Sequence, residues 1–285
     1  MKNLANVSVI KQILSESGFK FSKSLGQNFL INEHVLNNMI ENSCIDKNTN
    51  VIEIGPGFGT LTQRLCMNAK KVVSIEIDKS VIPILKNNLS DFDNLKIINA
   101  DCMKTDLNEI IKEEFGGGKT VIAANLPYYI TTPIIMNILE TGVNIDSLTV
   151  MIQKEVAERI VAQPGTKSYG ALSVAVSFYS IPEIIMTVPP SSFIPQPKVS
   201  SSVIKLGIRS EPYVKVRDEK MFFKIVRAAF SQRRKTLQNA LANNPEIPAD
   251  KEKIGNILNS MELDIKIRGE SLSSEQFAAL SDMLL

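Results

Sequence analysis

The groups in this chain best suited by type and spacing to chemistry are a glycine-rich turn, three carboxylates and the tetrapeptide Asn125-Leu-Pro-Tyr128. The turn lies in Val51-Ile-Glu-Ile-Gly-Pro-Gly-Phe-Gly59, where Gly55, Gly57 and Gly59 alternate with other residues. Glycine permits positive φ and lets a ligand approach the main chain with no Cβ in the way. A helix opening at Thr60 offers its first N–H groups to a polar ligand. The spacing departs from the dinucleotide-type G-x-G-x-x-G: Gly59 comes one position early, and Thr60 stands where the third glycine is expected. Glu53 adds a carboxylate aimed at the same crevice. Glu76 ends the next apolar stretch, at the ~20-residue distance at which an acid can accept both ribose hydroxyls of a bound nucleoside. Asp101 ends a third stretch. Acids at successive strand ends suit an adenosine-bearing, net-cationic ligand better than a pyrophosphate, which favours S-adenosyl-L-methionine over NAD. An NAD oxidoreductase is further disfavoured because no residue is placed as its acid or base.

Asn125-Leu-Pro-Tyr128 follows the apolar Val121-Ile-Ala-Ala124 and so stands at the mouth of that crevice. Its groups fit methylation of the exocyclic amine of adenine. That nitrogen is a poor nucleophile because its lone pair is delocalised into the ring. A site that methylates it must accept hydrogen bonds from the NH₂ and let the nitrogen pyramidalise. Asn125 offers a side-chain carbonyl and Leu126 a main-chain one, while Pro127 fixes the turn and brings no donor. Tyr128 offers a ring to a base that has left its helix. The bland alternative, a proline turn with a buried tyrosine, loses weight beside the glycine turn and the acids. In Phe193-Ile-Pro-Gln-Pro-Lys-Val-Ser200 two prolines stiffen an extended loop. Phe193 there either covers the other face of the base or anchors the core between strands.

Basic residues gather in Lys220, Lys224, Arg227, Arg233, Arg234 and Lys235, with no acid between Lys220 and Asn244. Phe222, Phe223, Val226 and Phe230 give the same stretch an apolar face, so the basic face is either ordinary solvated surface or a contact for RNA phosphates. Lys20 and Lys23, in an N-terminal arm over residues 1–30, are available to phosphates if that arm acts as a flap; otherwise it is simply mobile. Lys167 and Tyr169 lie in a loop with a weaker claim to RNA.

The elements that must position these groups alternate. Strands are expected near 50–54, 71–77, 95–99, 119–124 and 147–152, and helices near 60–68, 79–89, 106–114, 132–140 and 154–162. This alternation implies a doubly wound, mostly parallel sheet with its crevice beyond the C-terminal strand ends. Residues 171–181, 183–188 and 202–209 read as further strands, the last two as a possible hairpin. Helices are expected over 7–17, 33–43, 221–241, 251–260 and 273–285, the last opened by a Ser273/Gln276 capping box. The fold class is α/β, a Rossmann-like seven-stranded sheet over residues 1–210, with a small helical domain over 211–285 expected to bind RNA.

The 285 residues carry a formal net charge of +2, which as a total says nothing of partners. Cys44, Cys66 and Cys102 are odd in number and widely spaced, reading as reduced thiols of a cytoplasmic protein rather than a disulfide or zinc set. His34, the single histidine, is expected on a helix surface and makes a histidine triad improbable. No apolar run reaches the ~20 residues of a membrane span, and no signal-peptide pattern opens the chain. No metal site is read.

In order, Ser24-Leu-Gly-Gln-Asn-Phe-Leu30, Glu53 to Gly59, Asn125-Leu-Pro-Tyr-Tyr-Ile-Thr-Thr-Pro133, Phe193 to Val199 and Phe230-Ser-Gln-Arg-Arg-Lys-Thr-Leu237 resemble the ribosomal RNA adenine N6-dimethyltransferases over nearly the whole chain. The glycine motif is common to many methyltransferases, whereas the ordered set is specific. The resemblance implies that Asn28, Leu30, Gly55, Glu76, Asp101 and Asn125 line the donor site, with Glu76 on the ribose and Asp101 on the adenine amino group; Glu53 and Gly57 join them from the reading of the glycine turn. It implies that Asn125 to Tyr128 grip the target adenine. The implied substrate is a pair of adjacent adenines in the hairpin loop near the 3′ end of 16S rRNA, within an immature small ribosomal subunit; a monomer is expected. The helical C-terminal part favours the small-subunit branch over large-subunit relatives. A ribosome-assembly factor whose binding outweighs its methylation is the other reading.

Overall fold

A computed structural model describes residues 2–18 and 26–285. Lys20 and Lys23 lie outside the described residues. In chain order the elements are α1 (Val7–Ser17), β1 (Phe29–Leu30), α2 (Glu33–Asn42), β2 (Asn50–Ile54), α3 (Thr60–Asn68), β3 (Lys71–Glu76) and α4 (Ile82–Asn88). There follow β4 (Leu95–Asn99), α5 (Leu107–Ile110), β5 (Thr120–Asn125), α6 (Thr131–Glu140), β6 (Ser147–Gln153), α7 (Lys154–Ile160) and α8 (Ala171–Tyr179). Next are β7 (Ser180–Val188), β8 (Phe193–Ile194), β9 (Ser201–Ile208), α9 (Glu219–Ser231), α10 (Leu237–Ala242), α11 (Lys251–Ser260) and α12 (Ser274–Leu284).

Seven strands form one sheet in the order β4-β3-β2-β5-β6-β9-β7. The pairs β3–β4, β2–β3, β2–β5 and β5–β6 are parallel, and β9 returns antiparallel to β6. The central strand β2 is buried at all five residues, as a parallel strand covered on both faces must be. The chain winds outward from β2 to β4, then crosses back to lay β5 on the other side of β2. That reversal opens a crevice beyond the C-terminal ends of β2 and β5.

The chain divides into two compact units: Met1–Ala157 with Ile181–Ile208, and Glu158–Ser180 with Arg209–Leu285. The division differs from a single cut near residue 210. Residues 171–179, apolar enough to read as a strand, are helix α8. Val174 and Phe178 of that helix join Phe222, Phe223 and Phe277 in the core of the second unit. Packing of an apolar face overrides a propensity difference of a few tenths of a kcal/mol per residue. The expected 221–241 helix is likewise broken: α9 stops at Ser231, and α10 starts afresh with Thr236 as its N-cap. The capping box of α12 is formed, with Gln276 N–H donating to Ser273 Oγ and Ser273 N–H to Gln276 Oε1.

The described N-terminal residues are docked rather than free. Gln63 accepts from Leu4 N–H at 3.1 Å and donates to the Lys2 carbonyl at 2.7 Å. Leu4 and Ile10 are buried with Phe29, Phe58 and Leu85. His34 is exposed on α2. Among the described residues no helix is long and apolar enough to cross a membrane.

Candidate active site

A cleft of about 1070 Å³, open mouth included, lies at the C-terminal strand ends of the first unit. It is lined by residues of the β2–α3 turn, by the ends of β3, β4 and β5, and by the segment from Gly26 to Leu30. Asn28, Leu30, Glu53, Gly55, Gly57, Glu76, Asp101 and Asn125 to Tyr128, far apart in the chain, all face it.

All three glycines of the turn are left-handed, with φ +68° at Gly55, +57° at Gly57 and +94° at Gly59. Two of these glycines answer different demands. At Gly55 no atom stands within 4 Å of where a Cβ would be, so the main chain is open to the cleft. At Gly57 a Cβ would stand 2.7 Å from Phe29 Cε1, and that ring is itself stacked on Phe58 at 4.1 Å. Gly57 therefore lets β1 close over the turn, whereas Gly55 leaves a cradle that a ligand can enter.

Glu76 is buried at the end of β3 and accepts from Gly57 N–H at 3.2 Å and Asp78 N–H at 2.9 Å. Burial raises its carboxyl above the ordinary range, and the two N–H groups partly offset this. Glu53 is 1% exposed and accepts from Ser74 Oγ at 2.7 Å. Burial pushes its carboxyl up to about 7 against the opposing Ser74 bond, and the neighbouring Glu76 charge adds to the rise. Glu53 is thus divided between acid and carboxylate near neutral pH. Asp101 accepts from Met103 N–H at 3.0 Å.

The Asn125 amide has a fixed sense. Its Nδ2 donates to the Asn28 carbonyl at 2.9 Å, which leaves Oδ1 as an acceptor with no partner among the described residues. Pro127 O accepts from Ile130 N–H at 3.2 Å and Thr131 Oγ1 at 3.0 Å, and Leu126 N–H is held by Met151 O at 3.1 Å. The Leu126 carbonyl is left without a donor among the described residues. Tyr128 is half-buried, its hydroxyl 2.7 Å from Ser201 Oγ on β9. An amide with its N–H side occupied, a free carbonyl and a ring at one cleft mouth can accept hydrogen bonds from a planar amine and stack on its ring.

Phe193 does not join them. It is 1% exposed, in antiparallel register with Leu30, and packs with Leu30, Met39 and Val203. The β1–β8 pairing turns Phe193 inward, and burying a ring of this size outweighs leaving it on the surface. The alternative of a core anchor is the one that holds, and the second ring expected over the base is corrected accordingly. Tyr169 is likewise buried, donating to Leu272 O at 3.0 Å, and offers nothing to RNA.

In the second unit Arg227, Arg234 and Lys235 are exposed and Lys224 is half-buried. Arg233 is committed to its own unit, with Nη2 3.2 Å from Glu270 Oε2 and 2.9 Å from Lys167 O. Residues not singled out from the sequence also reach the cleft: Gln27, Ile77, Cys102 and Tyr129. Ile77 and Cys102 adjoin the strand-end acids, a positional signal that was available. Gln27 is held by Asp78 Oδ2 at 2.9 Å, a contact between distant segments that no local pattern marks. Among the described residues no cluster of three or more His, Cys, Asp or Glu is placed to hold a metal.

Curated relatives named ribosomal RNA small subunit methyltransferase A align along the whole chain. The one from Lachnoclostridium phytofermentans is 52% identical, over 96% of this chain and 94% of its own. That from Bacillus cytotoxicus is 50% identical, over 100% and 98%. Among solved structures, a dimethyladenosine transferase from Plasmodium falciparum superposes with a TM-score of 0.75 at 27% identity, covering 88% of this chain and 95% of that one. The 23S rRNA methyltransferase ErmE gives 0.67 at 25% identity, covering 90% and 99%. The fold shared with these is the Rossmann-like class I methyltransferase fold. The family described as ribosomal RNA adenine dimethylase matches residues 18–280, and this chain belongs to it.

Proposed function

We propose that the protein transfers methyl groups to N6 of two adjacent adenines in the 3′-terminal hairpin loop of 16S rRNA, two to each base. It does so on an immature small ribosomal subunit, in the cytoplasm and as a monomer. S-adenosyl-L-methionine, when bound, supplies a methyl activated by its sulfonium. Glu76 accepts hydrogen bonds from the ribose hydroxyls and Asp101 from the adenine amino group. Gly55 leaves the main chain open beside them, and Asn28 and Leu30 close the near wall.

The observation that carries the reading is the Asn28–Asn125 hydrogen bond at 2.9 Å. It sets Oδ1 of Asn125, with the Leu126 carbonyl, as a pair of acceptors at the cleft mouth. Two acceptors hold both protons of an amine and draw its lone pair out of the ring. Tyr128 offers a face to the base, its ring steadied by Ser201. Catalysis is then chiefly alignment for in-line displacement, with no covalent intermediate on the protein. Gly57, whose N–H is held by Glu76, lets Phe29 close over the turn. Lys224, Arg227, Arg234 and Lys235 contact phosphates, and Lys23 joins them in this reading, whereas Arg233 is held by Glu270 and the Lys167 carbonyl. Small-subunit rRNA is favoured over large-subunit rRNA by the names of the full-length relatives.

The test is transfer of labelled methyl to small and large ribosomal subunits from an unmethylated strain, with mapping of the modified bases. Dimethyladenine at two neighbouring positions of small-subunit rRNA is expected. Label confined to large subunits, or absent from both, overturns the proposal.

A further inference from the structure

The cleft mouth carries an aromatic ring that this chemistry does not use. Phe29, Tyr128 and Tyr129 line the cleft, and of these Tyr129 alone is exposed, at 58%. The adjacent tyrosines are held differently. The Tyr128 hydroxyl is tied to Ser201, whereas that of Tyr129 has no partner among the described residues. Instead its ring lies along the main chain at Gly26, where a Cβ would stand 3.4 Å from Cδ1 and 3.8 Å from Cε1. Pro127 Cβ is 3.9 Å from the same point. Gly26 has φ +56°, so the ring is propped on a turn that favours glycine. The ring is supported along one edge, bonded to nothing by its hydroxyl, and open elsewhere. An apolar surface left in water at such a place adds nothing to folding, but it is available to a flat partner.

We infer that Tyr129 is an RNA-binding residue, a stacking platform for an unpaired nucleobase flanking the one held at Asn125. The inference rests on the proposed RNA methylation. Tyr129 adjoins Tyr128 yet lies outside the Asn125–Leu126 acceptor pair, so the base it meets is a neighbour of the target in the strand. Every base has a π-face, so the platform contributes affinity without reading sequence.

The chain contains no tryptophan, so Tyr129→Trp places a single reporter on the platform. With S-adenosylhomocysteine present and binding followed separately by filter retention, a hairpin RNA carrying the 3′-terminal loop should quench its emission. Tyr213→Trp, on the second unit, serves as the comparison. In steady-state assays on unmethylated small subunits, Tyr129→Ala should raise the RNA KM by roughly five- to 150-fold. Tyr129→Phe should stay within about twofold of the parent, because the aromatic face is retained. The calorimetric Kd for the donor product and the thermal midpoint should be unchanged in the Tyr129 variants. Hairpin bound without quenching of Tyr129→Trp, an unchanged RNA KM in Tyr129→Ala, or a weakened donor site instead, each overturns the inference. A parent enzyme that transfers methyl to no ribosomal RNA overturns the proposed function itself, a result the variants cannot mimic.

Discussion

Replacing Gly55 and Gly57 by alanine, one at a time, separates the two demands on the glycine turn. Both residues have positive φ, +68° and +57°, so each alanine incurs about 1–2 kcal/mol of left-handed strain. At Gly55 nothing else is touched, because no atom lies within 4 Å of the new methyl. At Gly57 the methyl would meet Phe29 Cε1 at 2.7 Å, and the ring cannot retreat without leaving Phe58. Forcing such a shift in a packed core costs about a further 1–3 kcal/mol. Gly57→Ala should therefore melt below Gly55→Ala by several degrees, at roughly 2–4 °C per kcal/mol for a domain of this size. The melts are run without donor, so that binding does not mask the difference. Calorimetric titration with S-adenosyl-L-methionine should rank the pair the other way relative to stability: Gly55→Ala, well folded, loses affinity because its methyl fills the cradle. Phe29→Leu should recover part of the Gly57→Ala loss. Equal melting of the two glycine variants, or a Gly55→Ala that binds donor as the parent does, would refute the division of labour.

Glu53 gives a pH signature. Its carboxyl sits at about 7 against an ordinary 4.5, so the folded chain holds that proton more tightly than the unfolded one. The stability this contributes, roughly 3 kcal/mol, is fully present below pH 4.5 and is lost as pH rises through 7. Glu53→Gln should flatten that part of the profile in denaturant titrations at pH 4.5 and 8; a variant profile parallel to the parent's would count against the assignment. Asn125→Ala should lower the rate of transfer by two to three orders of magnitude, with donor affinity near that of the parent by calorimetry. Arg234→Ala and Lys235→Ala should each reduce the slope of log affinity for RNA against log salt by about one. Arg233→Ala should instead cost about 1 kcal/mol of stability, measured by denaturant titration, because its guanidinium serves Glu270 and the Lys167 carbonyl.

How far the sequence could be read depends on the range of the interactions concerned. The strand–turn–helix alternation, the left-handed glycines and the Ser273 capping box are decided within a few residues, and β2, β4, α3 and α11 fall at their expected limits. The class of chemistry was legible for the same reason: strand-end acids and an Asn-Leu-Pro-Tyr turn bring their functional groups with them. Residues 171–179 show the limit of local reading. Their apolar run is compatible with a strand, yet it is helical because Val174 and Phe178 close a core built by α9 and α12.

What tertiary structure alone decided is which side each aromatic and basic side chain faces, and what holds the site in register. Phe193 is removed from the cleft by a two-residue pairing with Phe29 and Leu30, more than 160 positions earlier. Tyr129 is left exposed over Gly26, and Arg233 is claimed by Glu270. The sense of the Asn125 amide is set by a main-chain carbonyl at Asn28, 97 positions away. Periodicity and motif spacing carry no record of such contacts, because they exist only once the sheet has brought distant segments together.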